Sequence, residues 1–249
     1  MLRKLERRAR LGEDDRDALL ALPHQLRQVS AGTHIIRDGD KPDSCCLLIS
    51  GFAFRHKITG EGGRQVLSLH LAGDFVDLQN GLLEVSDHNV QMLTDGEVAF
   101  VPREAIKALA LARPAVGVAM WVDTLVDSAI FREWVVNVGR RDARTRICHI
   151  LCEFSLRLEE AGLAKDHRYE LPMTQEQLAD ATGLTPVHVN RTIKALEAER
   201  LIDRTSARSI TIGDWRKLAE VGDFQSGYLH LRPGDAGTGT ASKEVGEFV

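Results

Sequence analysis

The stretch "TPVHVNRTIKALEA", Thr185 to Ala198, places five side chains where they could do chemistry. Val189, Ile193 and Leu196 recur at i, i+4 and i+7, which puts them on one apolar face of a helix starting at Pro186. Val187, Arg191 and Lys194 then point the opposite way, with His188 and Asn190 on the flanks. A valine inside a basic outward stripe is poorly placed for water. It suits the major groove of DNA, where thymine offers a C5-methyl group and guanine offers O6 and N7 to an arginine fork. Val187 would pack on a base edge or methyl group, Arg191 would bond a guanine, and His188 would touch a base or a phosphate. The competing interpretation is a plain helical hairpin with a stray valine.

The flanking residues are those that would hold such a helix in place. Thr174 and Gln177 form a capping box before "QEQLADAT". Gly183 sits where the first helix must stop and turn, a position that favours positive φ. Thr185 caps the second helix, and Pro186 takes its first position, where a missing N–H costs nothing. Ala179 is small enough for a close crossing, over a core of Leu178, Leu184, Val189, Ile193 and Leu196. Downstream, "LIDRTSARSITI" gives two short β-prone runs around a polar turn, with Arg204 and Arg208 within phosphate reach. The expected element is a winged helix-turn-helix. Its expected DNA contacts are Thr174, Thr185, Pro186, Val187, His188, Asn190, Arg191, Lys194, Arg204 and Arg208.

The rest of the chain divides by texture. Residues 12–22 read as a short helix. From Gly32 to Pro102, short β-prone runs are broken by glycines, with a hairpin turn at Thr59–Arg64. This pattern predicts an antiparallel roll. A long helix follows over about Pro114–Val138. In it Val118, Val122, Leu125, Ala129 and Val136 follow 4-3 spacing, with Arg132 interrupting, while Met120, Phe131 and Trp134 lie on the other side. This is either a dimer seam that also packs on its own roll or a buried core helix. Gly139 is expected to end that helix and serve as a flexible joint. Asp142 would cap the next helix, which closes at Gly162. The fold class is therefore α+β: a roll over 1–112, a dimerisation helix and hinge over 113–139, and a winged helix-turn-helix over 140–232. A small, Gly-rich tail over 233–249 is expected to be disordered.

Composition sets outer limits. Hydrophobic residues make up 43% and charged residues 27%, the balance of a soluble globular chain. No run suggests a membrane span of ~18–20 apolar residues, and the N-terminus lacks the apolar core of a signal peptide. Four cysteines at odd spacings give no disulfide framework and point to a cytoplasmic setting. Net charge is −4, but residues 140–232 hold 15 Lys+Arg against 14 Asp+Glu. Any nucleic-acid contact must then rest on local clustering rather than bulk charge.

At this point the sequence resembles the cyclic-AMP receptor/Fnr family of bacterial transcription regulators. The resemblance covers about residues 12–220. It is carried by "LADATGLTPVHVNRTIKALEAERLI", by "LAGDF" and by "GRRDARTRICHILCEF". It implies a homodimer on a two-fold-related site in double-stranded DNA, with RNA polymerase as a protein partner. Arg191 falls on the family's principal base-reading arginine, whereas Pro186 and Val187 replace the arginine and glutamate of the cyclic-AMP-binding members. Those members hold the ribose and cyclic phosphate with two residue pairs in the roll. Here the pairs are Asp77 and Leu78, then His88 and Asn89, which supply no cation for a phosphate. Phe131 and Arg132 stand where the long helix would contact adenine.

The resemblance thus predicts a regulator whose effector is not cyclic AMP and is otherwise unidentified. An iron–sulfur sensor would need N-terminal cysteines, and residues 1–44 have none. Cys148 and Cys152, at i and i+4, could share a metal but read better as core packing, so neither a metal nor a cofactor is expected. The alternative function is a cyclic-nucleotide-responsive module acting through a protein partner. No phosphate-binding loop, GxSxG or HExxH pattern argues for an enzyme.

Overall fold

The computed structural model describes residues 1–231. The expectation for the 233–249 tail falls outside them. The glycine-punctuated first half forms antiparallel strands β1 (Gln25–Val29), β2 (His34–Ile36), β3 (Ser44–Ser50), β4 (Ala53–Ile58), β5 (Arg64–His70), β6 (Asn89–Met92) and β7 (Gly96–Pro102). They lie in two sheets, ordered β1-β7-β3 and β2-β6-β4-β5. The expected hairpin joins β4 to β5, and Gly62 takes a φ of 85° in its turn, where a side chain would be strained. Successive side chains alternate between faces, so Cys45 and Cys46 enter different cores. Cys46 packs with Leu48, Val90, Met92 and Val98 between the two sheets. Cys45 packs with Leu47, Ala99 and Val101 on the other face of its sheet.

That second face is covered by three helices: α1 (Leu2–Arg8), α2 (Glu13–Leu20) and α3 (Arg103–Ala112). The sequence anticipates only α2. Its first turn holds Glu13, Asp14 and Asp15, which complement the positive end of the helix dipole. The long helix α4 runs Pro114–Arg140 and packs Val116, Ala119 and Met120 into the same core. By length and composition α4 would suffice to cross a membrane, at a mean hydropathy of 1.3 in its most apolar window, which corrects the expectation that no run does. Here one of its faces is occupied by the roll. Its Asp123 is buried and pairs with Lys4 at 3.0 Å and Arg8 at 3.2 Å.

Gly139 does not end α4. It lies inside the helix, and a Cβ placed there would meet nothing within 4 Å among the described residues. The break comes at Arg141, which is extended (φ −78°, ψ 150°). Its guanidinium is pinned by Glu133 at 2.6 Å and Asp223 at 2.9 Å, so an ion-paired arginine, not a glycine, sets the junction. Asp142 caps α5 (Ala143–Ala161) as expected, accepting from Thr145 N at 2.9 Å, and Gly162 closes it at a φ of 75°. After α5 come β8 (Arg168–Glu170), α6 (Gln175–Thr182), α7 (Pro186–Ala198), β9 (Ile202–Asp203), β10 (Ser209–Ile212) and α8 (Trp215–Val221). A continuous apolar core joins Phe54, Val66 and Leu69 of the roll, Val126, Ile130 and Trp134 of α4, and the interior of the C-terminal half.

Polar contacts tie the same parts together. Arg157 of α5 is half-buried, donates to Leu69 O at 2.7 Å and pairs with Glu153 at 3.3 Å. Glu153 accepts from Trp134 Nε1 at 3.0 Å and from Tyr228 Oη at 2.7 Å, which draws the segment after α8 onto α4 and α5. Arg64 of β5 reaches Asp180 of α6 at 2.7 Å. Burial pushes the Asp74 carboxyl up, but Lys4 at 2.8 Å, with His70 and Arg157, overrides this and holds it well below the usual carboxylate range.

Candidate nucleic-acid interface

The helix-turn-helix follows from local interactions. Thr174 Oγ1 accepts from Gln177 N at 3.2 Å, and Gln177 Oε1 accepts from Thr174 N at 2.8 Å, which closes the capping box of α6. Gly183 takes a φ of 66°, and Leu184 N returns to Ala179 O at 3.0 Å. Arg146 of α5 donates to Thr182 O at 2.9 Å and so satisfies a carbonyl at the end of α6. Thr185 Oγ1 accepts from His188 N at 3.3 Å, with Pro186 in the first turn of α7. Leu178, Ala179, Val189, Ile193 and Leu196 are buried, and Leu184 is half-buried against the same core. Arg144 of α5 grips both Glu199 oxygens at 2.5–2.6 Å, just past the end of α7. Sequence reasoning misses that pair, because nothing in the spacing joins residues 55 positions apart.

The outward face of α7 is as the periodicity predicts. Val187 is 79% exposed, and Arg191 and Lys194 are exposed beside it. His188 and Asn190 are half-buried flanks. Arg191 Nη2 donates to His188 Nε2 at 3.2 Å, so the imidazole braces the guanidinium. Asn190 Nδ2 donates to Gln175 Oε1 at 3.0 Å, and Gln175 is absent from the anticipated set.

The wing is a three-stranded sheet, β8-β10-β9. Its turn is knitted by Ser209 Oγ, which accepts from Thr205 N at 2.8 Å and Ser206 N at 3.1 Å. Arg208 is exposed. Arg204 is less open than Arg208. It is half-buried and folds back to donate to Ala207 O across the turn.

On α4, Val118, Leu125 and Val136 are 44–50% exposed, and Arg132 is exposed with them. The seam departs from the expected one at its edges. Ala129 is only 7% exposed and Val122 is half-buried, both turned toward their own chain. Trp121, at 66% exposure, and Phe131, at 43%, face out instead, whereas Met120 and Trp134 are buried as expected. The roll covers the neighbouring stripe of the same helix, so the open face is the expected one shifted in phase.

In the roll, three of the four residues at the nucleotide positions are hydrogen-bonded within the chain. Asp77 is fully buried and accepts from Cys46 N at 2.6 Å and from Asn80 Nδ2 at 3.4 Å. Burial, only partly opposed by those bonds and by Arg55, pushes its carboxyl up to about 7. Leu78 begins a short 3-10 turn, Leu78–Gly81. His88 leans on Asp87 at 2.7 Å, and burial lowers its imidazole. Asn89 accepts from Asp38 N at 3.2 Å.

The expectation that no cation is present is corrected by Arg55 of β4. It donates to Val76 O at 2.8 Å and to Gln79 Oε1 at 3.4 Å, and its Nη1 pairs with Asp127 of α4. The cavity beside it measures about 20 Å³, against the ~300 Å³ or more of a small-molecule pocket. All four cysteines are buried. Burial pushes the Cys45 and Cys148 thiols up to about 12 and raises Cys46 and Cys152 as well, so they pack as neutral thiols.

Known proteins show the same two parts. Residues 26–113 match the cyclic nucleotide-binding domain, and residues 145–221 match the Crp-like helix-turn-helix domain. The transcriptional activator protein FnrL of Cereibacter sphaeroides is 30% identical over 207 residues, 82% of this chain and 83% of its own length. The chain belongs to the Crp/Fnr family of transcription regulators. Nitrogen fixation regulation protein FixK of Rhizobium meliloti is 27% identical over 192 residues, 76% of this chain and 83% of its own. The structure of FixK2 from Bradyrhizobium japonicum shares the fold at a TM-score of 0.72 and 21% identity, covering 80% of this chain and 98% of that one. This is therefore a DNA-binding transcription regulator of the Crp/Fnr type and not an enzyme. Its fold is a cyclic-nucleotide-binding-like roll, a long helix and a C-terminal helix-turn-helix.

Proposed function

We propose that two copies of the chain pair along α4 and place one α7 in each half of a two-fold-related DNA site. The observation that carries this reading is the exposed Val187–Arg191–Lys194 stripe on a helix whose other face is buried and whose start is capped. Arg191 takes O6 and N7 of a guanine, and Val187 meets a thymine methyl. His188 steadies Arg191 rather than reaching DNA itself. Thr174, Thr185, Lys194 and Arg208 contact phosphates, and Arg204 shapes the wing that carries Arg208. The dimer seam is Val118, Trp121, Leu125, Arg132 and Val136, with Val122 at its edge. The working division is a roll to residue 112, α4 as dimerisation helix, and a DNA-binding part from 140. A protein that acts on DNA in this way works in the cytoplasm, with RNA polymerase as its partner.

The roll in this reading does not answer to cyclic AMP. Arg55 is the cation at the nucleotide position, and Asp127 already neutralises it across the roll–α4 boundary. A cyclic phosphate would have to displace that carboxylate and open a cavity of about 20 Å³. The test is binding of the full-length protein to a selected DNA duplex by fluorescence anisotropy. Arg191→Ala should relax discrimination at one base pair, by ~1–3 kcal/mol. Arg208→Ala should weaken all sequences alike and reduce the salt slope by about one. An Arg191→Ala variant with unaltered sequence preference would mean that α7 docks differently.

A further inference from the structure

The outer face of α7 is held by a residue from the helix before it. Asn190 lies on the flank of α7 that faces the start of α6, and its Nδ2 donates to Gln175 Oε1 at 3.0 Å. Gln175 is the first residue of α6, directly after the Thr174 cap, and is exposed. An amide side chain has two faces of opposite hydrogen-bonding sense, an acceptor oxygen and a donor NH2. Alone on a helix flank, Asn190 could turn either one toward a base. Gln175 removes that freedom. With its oxygen facing Asn190, only the NH2 of Asn190 can face back. The Asn190 oxygen and its second N–H are then both left for the groove.

The polarity of Gln175 is itself set by its surroundings once DNA is present. Its Oε1 is spent on Asn190, which leaves its Nε2 for another acceptor at the exposed, capped start of α6. A DNA phosphate accepts hydrogen bonds and cannot donate them. It therefore selects the Nε2 end of Gln175 and keeps Oε1 on Asn190. We infer that Gln175 is a specificity-determining residue: it relays the polarity of a phosphate contact to Asn190, which thereby presents an acceptor–donor pair to an adenine. Adenine offers the matching N6–H and N7, whereas guanine offers two acceptors, O6 and N7, at the same edge. This inference rests on α7 being the reading helix, as proposed above, and assigns Asn190 a base beside that of Arg191.

The experiment is selection from a random DNA duplex library with the full-length protein, followed by affinity measurement on the best site and its single-base variants. Wild type should prefer adenine at one position per half-site, and Asn190→Ala should lose that preference. Gln175→Ala should lose it too, by about tenfold in discrimination, with Arg191's guanine retained. Gln175→Glu keeps the acceptor for Asn190 but repels the phosphate, so it should bind all sequences more weakly while still preferring adenine. A loss of affinity at every sequence without a change in preference in Gln175→Ala would reduce Gln175 to a phosphate contact and overturn the inference. Loss of every preference in an Asn190→Ala variant whose circular dichroism and melting match wild type would overturn it too, since Asn190 would then not read a base of its own. If Arg191→Ala left the guanine position intact, the reading helix itself would be misassigned, a failure distinct from that of the Gln175 relay.

Discussion

Asp77 is the most sharply testable group in the roll. It is fully buried, and burial moves its carboxyl from its ordinary 3.8 to about 7. Its neighbourhood agrees with a neutral acid. Asn80 gives its Nδ2 to Asp77 Oδ2 at 3.4 Å, while Asn80 Oδ1 is buried with no partner among the described residues. If the Asn80 amide turns over, a protonated Asp77 can donate to that oxygen and still accept from Cys46 N. The pH consequence has a definite sign. Below 3.8 the group is protonated in folded and unfolded chains alike and costs nothing. Between 3.8 and about 7 the unfolded chain releases the proton and the folded chain keeps it, so stability falls as pH rises. The difference of roughly three pH units, at ~1.4 kcal/mol each, amounts to about 4 kcal/mol lost by pH 8. Asp77→Asn supplies the same acceptor and an NH2 donor without ionising. Urea unfolding of both proteins at one fixed concentration, followed by tryptophan fluorescence, should show the variant gaining on wild type by about 4 kcal/mol between pH 4 and 8. Asp74 and Asp127, both held below the usual range, act in the opposite direction as pH falls but are common to the two proteins and cancel. Parallel stability profiles for wild type and the Asp77→Asn variant over that range would refute the reasoning.

Other expectations are simpler. Leu125→Glu places a charge on the exposed stripe of α4 and should convert dimers to monomers in sedimentation, with circular dichroism unchanged. Gly139→Ala should be tolerated or stabilising by up to ~1 kcal/mol, since the site is helical and open, and DNA affinity should persist; a collapse of DNA binding would restore the flexible-joint view. Millimolar cyclic AMP should leave wild-type DNA affinity unchanged; a tenfold gain, about 1.4 kcal/mol of coupling, would mean that the nucleotide displaces Asp127 from Arg55.

The parts of the molecule legible in the sequence are those written in short-range rules. A capping box, a turn glycine, an N-cap threonine and a 3.6-residue apolar period each bind residues within a few positions, and all of them place the helix-turn-helix correctly. Long-range pairs leave no such trace. Arg55 and Asp127 are 72 residues apart, and Arg64 and Asp180 are 116 apart. Nothing in either local context marks Arg55 as the cation in the roll. The same holds for Arg204, whose exposure looks assured until the wing turn brings the Ala207 carbonyl to it. The helices α1 and α3 escape the sequence for a different reason. Each carries few anchors of its own, Leu5 in one and Ile106 in the other, so their helical form depends on the sheet they cover.

The α4 seam shows where a local rule fails by its own arithmetic. A strict 4-3 pattern assumes 3.5 residues per turn, which holds only after two helices have coiled around each other. The spacing fixes the period of an apolar stripe but not which of two neighbouring stripes the rest of the chain covers. Starting from Val118 and stepping by three before four gives Trp121, Leu125, Ser128 and Arg132, the same period in the other order, and this stripe tracks the open face better than Val122 and Ala129 do. The buried side supplies the same answer independently. Val116, Ala119, Met120, Asp123, Val126, Ile130, Trp134 and Asn137 are all covered by the chain itself, and the open stripe lies opposite them. A helix with one face spent on its own roll and an opposite face of Val118, Trp121 and Leu125 left to water has unburied apolar area that a second copy would remove. The two-fold pairing proposed here follows from that remainder.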